Sequence, residues 1–155
     1  MNTFSDLLRP ETVLEGIAAK NKKALLNQLS GIAAMAFGLD AGLIASVLAN
    51  REQLGSTGFG AGVAIPHGKI ASLDHVVGVF VRLLHPIDYQ AIDGLPVDLV
   101  FVMLSPPDPG TLHLKSLARI SRQLRDPVFV AKLRGAGSAD ALYALWTGDE
   151  ARNAA

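Results

Sequence analysis

His67 is the residue of this 155-residue chain whose surroundings most favour chemistry. It stands between Pro66 and Gly68, directly after a segment in which four glycines fall within eight positions, from Gly55 to Gly62. Near neutral pH an imidazole has a free lone pair on one ring nitrogen. That nitrogen can attack phosphorus and form a phosphohistidine. These residue types therefore suit a phosphoryl-accepting site.

The residues that precede His67 could bind the oxygens of such a phosphoryl group. Backbone N–H groups of closely spaced glycines, Gly58 among them, can form a nest for an anion. Ser56 and Thr57 offer hydroxyl donors, and Arg51 offers a planar guanidinium that matches phosphate. The competing interpretation is structural, because glycine-rich segments form tight turns and a single histidine can serve packing alone. Spacing by itself leaves both interpretations open.

The other histidines give weaker signals. His113 shares one face of a predicted helix with apolar residues spaced 4, 3 and 4 apart, Leu117, Ile120 and Leu124. That position favours a buried core histidine, although a helix N-terminus nearby would stabilise an anion. His75 and His85 flank a predicted strand and have no visible partner. With no cysteine and no histidine pair at helical ligand spacing, we expect no metal site.

Other phosphate-binding and nucleophile motifs are absent from the chain. The P-loop pattern fails because five residues separate Gly62 from Gly68 and Ile70 follows Lys69. The dinucleotide fingerprint fails because the glycines alternate and no helical pattern begins there. No G-x-S-x-G elbow is present. The sequence therefore predicts neither a nucleotide site nor a cofactor.

Charge and hydropathy exclude several classes of protein. The 14 basic and 14 acidic residues give a formal net charge of zero, so the chain lacks the electrostatic signature of a nucleic-acid-binding protein. The basic residues that gather late in the chain are interpreted as a solvated helix face. No apolar run reaches the roughly 18 residues that a spanning helix needs. With no signal peptide evident and no cysteine, we expect a cytoplasmic protein without membrane insertion.

Periodicity indicates which elements position these residues. A helix is predicted over 21–37, ended by Gly38, and a second helix begins after Asp40 and carries Arg51 in its last turn. Apolar runs at 76–83 and 97–104 predict buried strands joined by turn residues between 86 and 96. Further helices are expected from about 111, at 127–133 and at 139–146, followed by a frayed tail over 147–155. The alternation predicts one α/β domain, residues 1–155.

Two segments, REQLGSTGFG at 51–60 and IPHGK at 65–69, resemble the active-site signature of a known family. The family comprises the fructose/mannitol-type enzyme IIA domains of the bacterial phosphotransferase system, and the resemblance is strongest to its nitrogen-related branch. The segments at 4–11, 86–89, 91–101 and 112–114 extend the resemblance over most of the chain.

The resemblance implies a mixed β-sheet of about five strands flanked by helices on both faces. It also implies that His67 accepts phosphate on Nε2 in a phosphoenolpyruvate-dependent relay, from a histidine-containing phosphocarrier protein (HPr- or NPr-like). Arg51 matches the family's arginine near the phosphoryl site, and His113 matches a second histidine beside it. The resemblance therefore favours a role for His113 in the phosphoryl site over a role in the hydrophobic core.

The sequence alone leaves three functions open. Phosphorylation would add about two negative charges and change which proteins bind the surrounding face. We expect a regulatory, nitrogen-related output, since no enzyme IIB or membrane domain is fused to the chain. The alternative is a sugar-transport enzyme IIA that passes phosphate to a fructose/mannitol-type enzyme IIB. A second alternative is a non-catalytic module that binds an anion.

Overall fold

The backbone is organised around one mixed sheet of six strands. The computed structural model of the chain describes residues 3–108 and 110–154. The strands are β1 Val13–Ile17, β2 Gly58–Gly60, β3 Val63–Ala64, β4 His67–Lys69, β5 Val77–Ile87 and β6 Val97–Ser105. Their order is β1-β5-β6-β3-β2, and β4 also pairs with β6. β6 is therefore the central strand, and it contacts three segments of the chain that are distant in sequence.

Helices cover both faces of the sheet. They are α1 Phe4–Leu7, α2 Lys22–Phe37, α3 Ala41–Gln53, α4 Leu112–Arg125, α5 Pro127–Gly135 and α6 Ala139–Ala154, with a 3-10 turn at Pro10–Thr12. The predicted α/β domain, a mixed sheet with helices on both faces, is confirmed.

Local capping explains where α2 and α3 begin and end. The side chain of Asn21 accepts a hydrogen bond from the Ala24 amide at 2.8 Å, and Gly38 ends α2 in the left-handed conformation. Asp40 then accepts from the Leu43 amide at 3.2 Å and starts α3. These boundaries agree with the sequence prediction and place Arg51 in the last turn of α3.

Alternation along β5 and β6 divides the interior into two cores. Val79 and Val102 point to one core, which they share with α2 and α3. Phe80 and Phe101 point to the other, where they surround the fully buried ring of Trp146. Their ring centroids lie 5.2 and 5.0 Å from the Trp146 ring in edge-to-face contacts. The sheet is therefore held from both sides by apolar packing.

Two sequence expectations differ from the structure. The glycine-rich segment, predicted as a loop, forms the β2–β3 hairpin. β5 continues through Pro86 to Ile87 instead of turning there; regular pairing with β6 is interrupted after Arg82, so the missing N–H of Pro86 leaves no ladder bond unmade. α6 extends to Ala154, and residue 155 lies outside the described residues, so the expected fraying of 147–155 stays a prediction.

Gly68 is required for packing between α3 and β4. A Cβ built at Gly68 would overlap the side chain of Val47 on α3. The helix therefore occupies the space that a side chain at this position would need. We expect Gly68→Ala to lower the free energy of unfolding by about 1–3 kcal/mol through overpacking.

Urea denaturation of four proteins measures this effect: wild type, Gly68→Ala, Val47→Ala and the double variant. Removing the Val47 methyl groups should recover part of the loss caused by Gly68→Ala. Strict additivity of the two substitutions would contradict the proposed contact.

Candidate functional site

His67 begins β4, beside Met103 of β6. Its Nδ1 lies 2.7 Å from the carbonyl oxygen of Ile65. A carbonyl oxygen can only accept, so Nδ1 carries the hydrogen and the neutral ring has its lone pair on Nε2. The backbone two residues earlier thus determines which nitrogen is nucleophilic.

Arg51 reaches this nucleophilic nitrogen from the end of α3. Its Nε–H donates to Nε2 of His67 at 3.3 Å, and its Nη1 donates to the carbonyl oxygen of Gly55 at 2.9 Å. The second bond ties the guanidinium to the turn that follows the helix. Arg51 therefore holds a fixed positive charge beside Nε2, where the oxygens of a phosphoryl group would lie.

The environment keeps His67 neutral. Burial lowers the pKa of the imidazole below its ordinary value of 6.5, because it disfavours the charged form. The hydrogen bond to Ile65 opposes this shift, the charge of Arg51 adds to it, and the carboxylate of Glu52 opposes it. The pKa remains lowered, so Nε2 keeps its lone pair at neutral pH.

His113 lies next to His67 in the first turn of α4. The two ring centroids are 5.6 Å apart. Nδ1 of His113 is hydrogen-bonded to the hydroxyl of Ser105, a fully buried residue at the end of β6. Burial lowers the pKa of His113, and the nearby His67 and Lys69 lower it further. Two neutral imidazoles and one guanidinium thus form the centre of the site.

Behind the centre, Glu52 binds a network of buried polar groups. Its carboxylate forms an ion pair with Lys22 at 2.8 Å. The backbone amide of Thr57 donates to the other carboxylate oxygen at 3.0 Å, and the Thr57 hydroxyl donates to it as well. The hydroxyl of Tyr89 donates to the same oxygen at 3.2 Å. These bonds join α2, α3, the turn before β2 and the segment after β5.

The protonation states of this network follow from its contacts. Burial raises the pKa of Glu52, but the hydrogen bonds from Lys22 and Thr57 outweigh it, and the pKa lies below its usual range. Burial also raises the pKa of Tyr89 far above its usual value, and the Glu52 carboxylate raises it further. Glu52 is therefore an anion and Tyr89 a hydrogen donor at all physiological pH values.

Of the predicted site residues, Arg51 and His113 lie beside His67. The other three, Ser56, Thr57 and Gly58, form contacts with other parts of the chain. Thr57 is committed to Glu52 through both its amide and its hydroxyl. The Ser56 hydroxyl accepts from the Gly58 amide at 3.1 Å, so this amide is already bonded within its own turn. A Cβ at Gly58 would lie 2.8 Å from the Cβ of Ala91, which makes this glycine a packing position.

Sequence reasoning missed several contributors to the site, among them the Ile65 carbonyl, Lys22, Glu52, Tyr89 and Ser105. Glu52 had a signal, since it is adjacent to Arg51 inside the motif. Ser105 and Tyr89 come from segments that only the folded sheet brings to the site, so local spacing could not have identified them.

Two properties of the described part of the chain bear on other functions. Between 3 and 108 and from 110 to 154, no three histidine, aspartate or glutamate side chains converge as metal ligands would. Over the same residues, none of the helices combines the length and apolar character needed to cross a membrane.

Comparison with known proteins gives consistent matches. Residues 6–147 match the family model described as phosphoenolpyruvate-dependent sugar phosphotransferase system, EIIA 2. A nitrogen regulatory protein of Bradyrhizobium diazoefficiens is 45% identical over 142 residues, which cover 92% of this chain and 93% of that protein.

Two solved structures share the fold. The nitrogen regulatory protein IIA-Ntr of Neisseria meningitidis superposes with a TM-score of 0.86 at 30% identity, covering 92% of this chain and 97% of that one. The Escherichia coli mannitol enzyme IIA, solved in complex with phosphorylated enzyme IIB, superposes with a TM-score of 0.75 at 18% identity, covering 92% and 99%. The second likeness concerns the fold alone.

Proposed function

Because the chain belongs to the EIIA 2 family of the phosphoenolpyruvate-dependent sugar phosphotransferase system and is similar to nitrogen regulatory proteins over nearly its whole length, we propose that it carries a phosphoryl group on Nε2 of His67 with a regulatory output. The observation that supports this most strongly is the hydrogen bond from Nδ1 to the Ile65 carbonyl, which leaves Nε2 as the nucleophile beside Arg51. The donor is a histidine-containing phosphocarrier protein, and the relay operates in the cytoplasm.

The transfer step is an in-line displacement at phosphorus. The Nε2 lone pair of His67 forms the new N–P bond while the N–P bond of the donor phosphohistidine breaks, and the electron pair returns to the donor imidazole. The hydrogen on Nδ1 stays in place, and the Ile65 carbonyl stabilises the positive charge that develops on the ring. The step needs no external base, because no proton has to move.

Arg51 and His113 supply the charge stabilisation that phosphoryl transfer requires. Once Nε2 is bonded to phosphorus it no longer accepts from Arg51, so the guanidinium N–H groups become available to the phosphoryl oxygens. His113 can donate from Nε2 when the Ser105 hydroxyl donates to its Nδ1. The remaining site residues act through positioning: Thr57 holds Glu52, and Ser56 and Gly58 shape the turn.

The output is regulation of partner proteins through the charge at this face. About two negative charges at His67 change the local potential enough to select between partners. Transfer to a sugar-specific enzyme IIB is the alternative, supported by the sugar phosphotransferase family model that residues 6–147 match.

One experiment separates these functions. The chain is incubated with phosphoenolpyruvate, enzyme I and the phosphocarrier protein, and then a fructose- or mannitol-type enzyme IIB is added. Acid-labile, alkali-stable labelling that stays on the chain supports the regulatory carrier. Rapid transfer of the label to enzyme IIB supports the transport alternative. Absence of labelling under conditions where the donor itself is labelled supports a non-catalytic anion-binding module and contradicts the proposal.

We expect His67 to titrate at lower pH than a free histidine. Burial and the charge of Arg51 disfavour the imidazolium, so the pKa of His67 lies below the ordinary value of 6.5. Phosphoryl acceptance should therefore decline as the pH falls, with an inflection below pH 6.5. An NMR titration of the ring protons measures the pKa without interference from the donor protein. An inflection at or above 6.5 would show that the site is more solvated than the structure indicates.

Ser105→Ala is expected to slow phosphoryl acceptance about fivefold, the equivalent of one hydrogen bond of about 1 kcal/mol. The loss would act through His113, because the Ser105 hydroxyl is the partner of its Nδ1. The ¹⁵N shifts of the two histidine rings distinguish this from a general structural effect. In the variant, the ratio of the two His113 tautomers should change, whereas the tautomer of His67 should stay the same. Unchanged His113 shifts would refute the positioning role.

A further inference from the structure

A groove lies at the end of α4 remote from His67. The β2–β3 hairpin forms one wall and helices α4 and α5 form the other, and the groove encloses about 750 Å³. Its floor consists of the buried side chains of Val63, Leu124 and Val130. A cleft of this size with an apolar floor is typical of a binding site.

The groove is separate from the phosphoryl site. His113 and Arg125 are twelve residues apart on α4, which corresponds to about 18 Å along the helix axis. On the sheet, Val63 pairs with Leu99 of β6 whereas His67 pairs with Met103, about 13 Å further along the strand. A partner bound in the groove would leave the face around His67 accessible.

Arg125 gives one rim of the groove an unneutralised positive charge. Its guanidinium lies over the ring of Phe59, 4.6 Å from the centroid, and its Nε donates to the Ser121 hydroxyl at 2.9 Å. Among the residues that the structure describes, Arg125 has no carboxylate partner. Stacking on Phe59 fixes the plane of the guanidinium and leaves the Nη groups to bind an acid.

The groove continues past Arg134 into a second depression. Arg134 donates to both carboxylate oxygens of Asp98, at 3.0 and 2.8 Å, and to the Ala61 carbonyl at 2.8 Å. The second depression shares Ala61 and Arg134 with the first and encloses about 420 Å³ against Leu95 and neighbouring prolines. We call these two adjoining depressions the trough; together they offer a longer surface than a compact small molecule needs, which suits an extended polypeptide.

Exposed apolar residues lie near both parts of this trough. Val128, in the first turn of α5, is 63% exposed, and Leu95 is 53% exposed. Together with the apolar floor they provide surface for several side chains of one extended segment. The rim charge at Arg125 specifies that this segment is acidic.

We propose that the trough is a second docking surface that binds an extended segment of a partner protein, in which apolar side chains alternate with carboxylates. The apolar side chains occupy the floor formed by Val63, Leu124 and Val130, and a carboxylate pairs with Arg125. This inference is independent of the chemistry at His67, because none of its contacts involves the phosphoryl site. A regulatory carrier with this surface binds its partner through the trough and signals through the phosphorylation state of His67.

NMR titration of the ¹⁵N-labelled chain with a defined probe tests the proposal. The probe is the peptide acetyl-Leu-Glu-Phe-Glu-Leu-Glu-amide, and its controls replace each Glu by Gln or each apolar residue by Ser. We expect saturable shifts of the amides of Gly60, Ala61 and Ala131, and no shift at His67. Both control peptides should bind at least about tenfold more weakly, since one lacks the carboxylates and the other lacks the apolar side chains.

Three variants make the result specific to the trough. Arg125→Gln should weaken the probe about tenfold, and Ala131→Glu should abolish binding by placing a negative charge in the groove. Arg122→Gln makes the same charge change on the exposed side of α4 and should leave affinity unchanged. Thermal unfolding of each variant verifies that it is folded.

Several outcomes would overturn the proposal. Equal losses in Arg125→Gln and Arg122→Gln would show unspecific electrostatic attraction. Shifts centred on His67, or no saturable shift with millimolar peptide, would show that the trough is not a peptide site. Binding of octanoate in place of the peptide would identify a small amphiphile as the occupant. Concentration-dependent dimerisation with the same amide shifts would identify a second copy of this chain.

Discussion

His67→Gln is expected to abolish phosphoryl acceptance completely. Glutamine is similar in size and can still donate to the Ile65 carbonyl, but it has no nitrogen lone pair that can attack phosphorus. The measurement is incorporation of phosphate from phosphoenolpyruvate through enzyme I and the phosphocarrier protein, followed by intact-protein mass spectrometry. No phosphorylated species should form with the variant at any time.

His85→Gln is the matched control for this experiment. His85 is an exposed histidine on β5, so the variant makes the same chemical change away from the site. It should be phosphorylated at the wild-type rate. His113→Gln should be phosphorylated slowly but to the same extent, because His113 contributes stabilisation and not the nucleophile. Phosphorylated His67→Gln protein would place the acceptor on another residue.

Arg51→Gln is expected to slow phosphoryl acceptance about 100-fold, the usual cost of removing one preorganised donor from a developing negative charge. The maximal rate should fall more than the apparent affinity for the donor protein, because the guanidinium contacts Nε2 of His67 and the Gly55 turn. The pKa of His67 should also rise, since the charge of Arg51 helps to lower it. Stopped-flow transfer rates and the histidine titration measure the two effects.

Two controls define what Arg51 contributes. Lys23→Gln removes the same charge from an exposed position on α2 and should leave the transfer rate unchanged. Arg51→Lys should recover only part of the rate, because an ammonium retains the charge without the planar fork. A full wild-type rate in Arg51→Gln would mean that the guanidinium does not meet the phosphoryl group during transfer.

The sequence predicts most of the elements that have local causes. The N-caps Asn21 and Asp40 and the terminating Gly38 set the bounds of α2 and α3, so the last turn with Arg51 could be predicted from the sequence. The mostly apolar runs of β5 and β6 identified the two buried strands. Fold class and the family resemblance are confirmed by the comparisons.

What the sequence could not predict depends on contacts between distant segments. β4 is three residues long and exists because β6 pairs with it, and no local pattern indicates so short a strand. The network of Glu52 unites Lys22, Thr57 and Tyr89, which are separated by up to 67 positions of chain. Thr57 was consequently predicted to bind phosphate, whereas the structure commits it to Glu52.

The glycines illustrate the same limit. Their density in the segment 55–62 predicted an anion-binding nest, which stays a prediction, but close packing also requires glycine at two positions of this region. Gly58 packs against Ala91, and Gly68 packs against Val47. A glycine that is needed for close packing and one that is needed to expose backbone amides look identical in a sequence, because the neighbour that requires the space comes from elsewhere in the chain.

The most direct test of the account is NMR of the phosphorylated chain with ¹⁵N-labelled histidine. The Nδ1–H bond to Ile65 and the lone pair on Nε2 together predict phosphorus–nitrogen coupling at Nε2 of His67, with Nδ1 still carrying its hydrogen. Coupling at Nδ1 of His67, or at either nitrogen of His113, would contradict the central claim that the Ile65 carbonyl selects Nε2 of His67 as the phosphoryl acceptor.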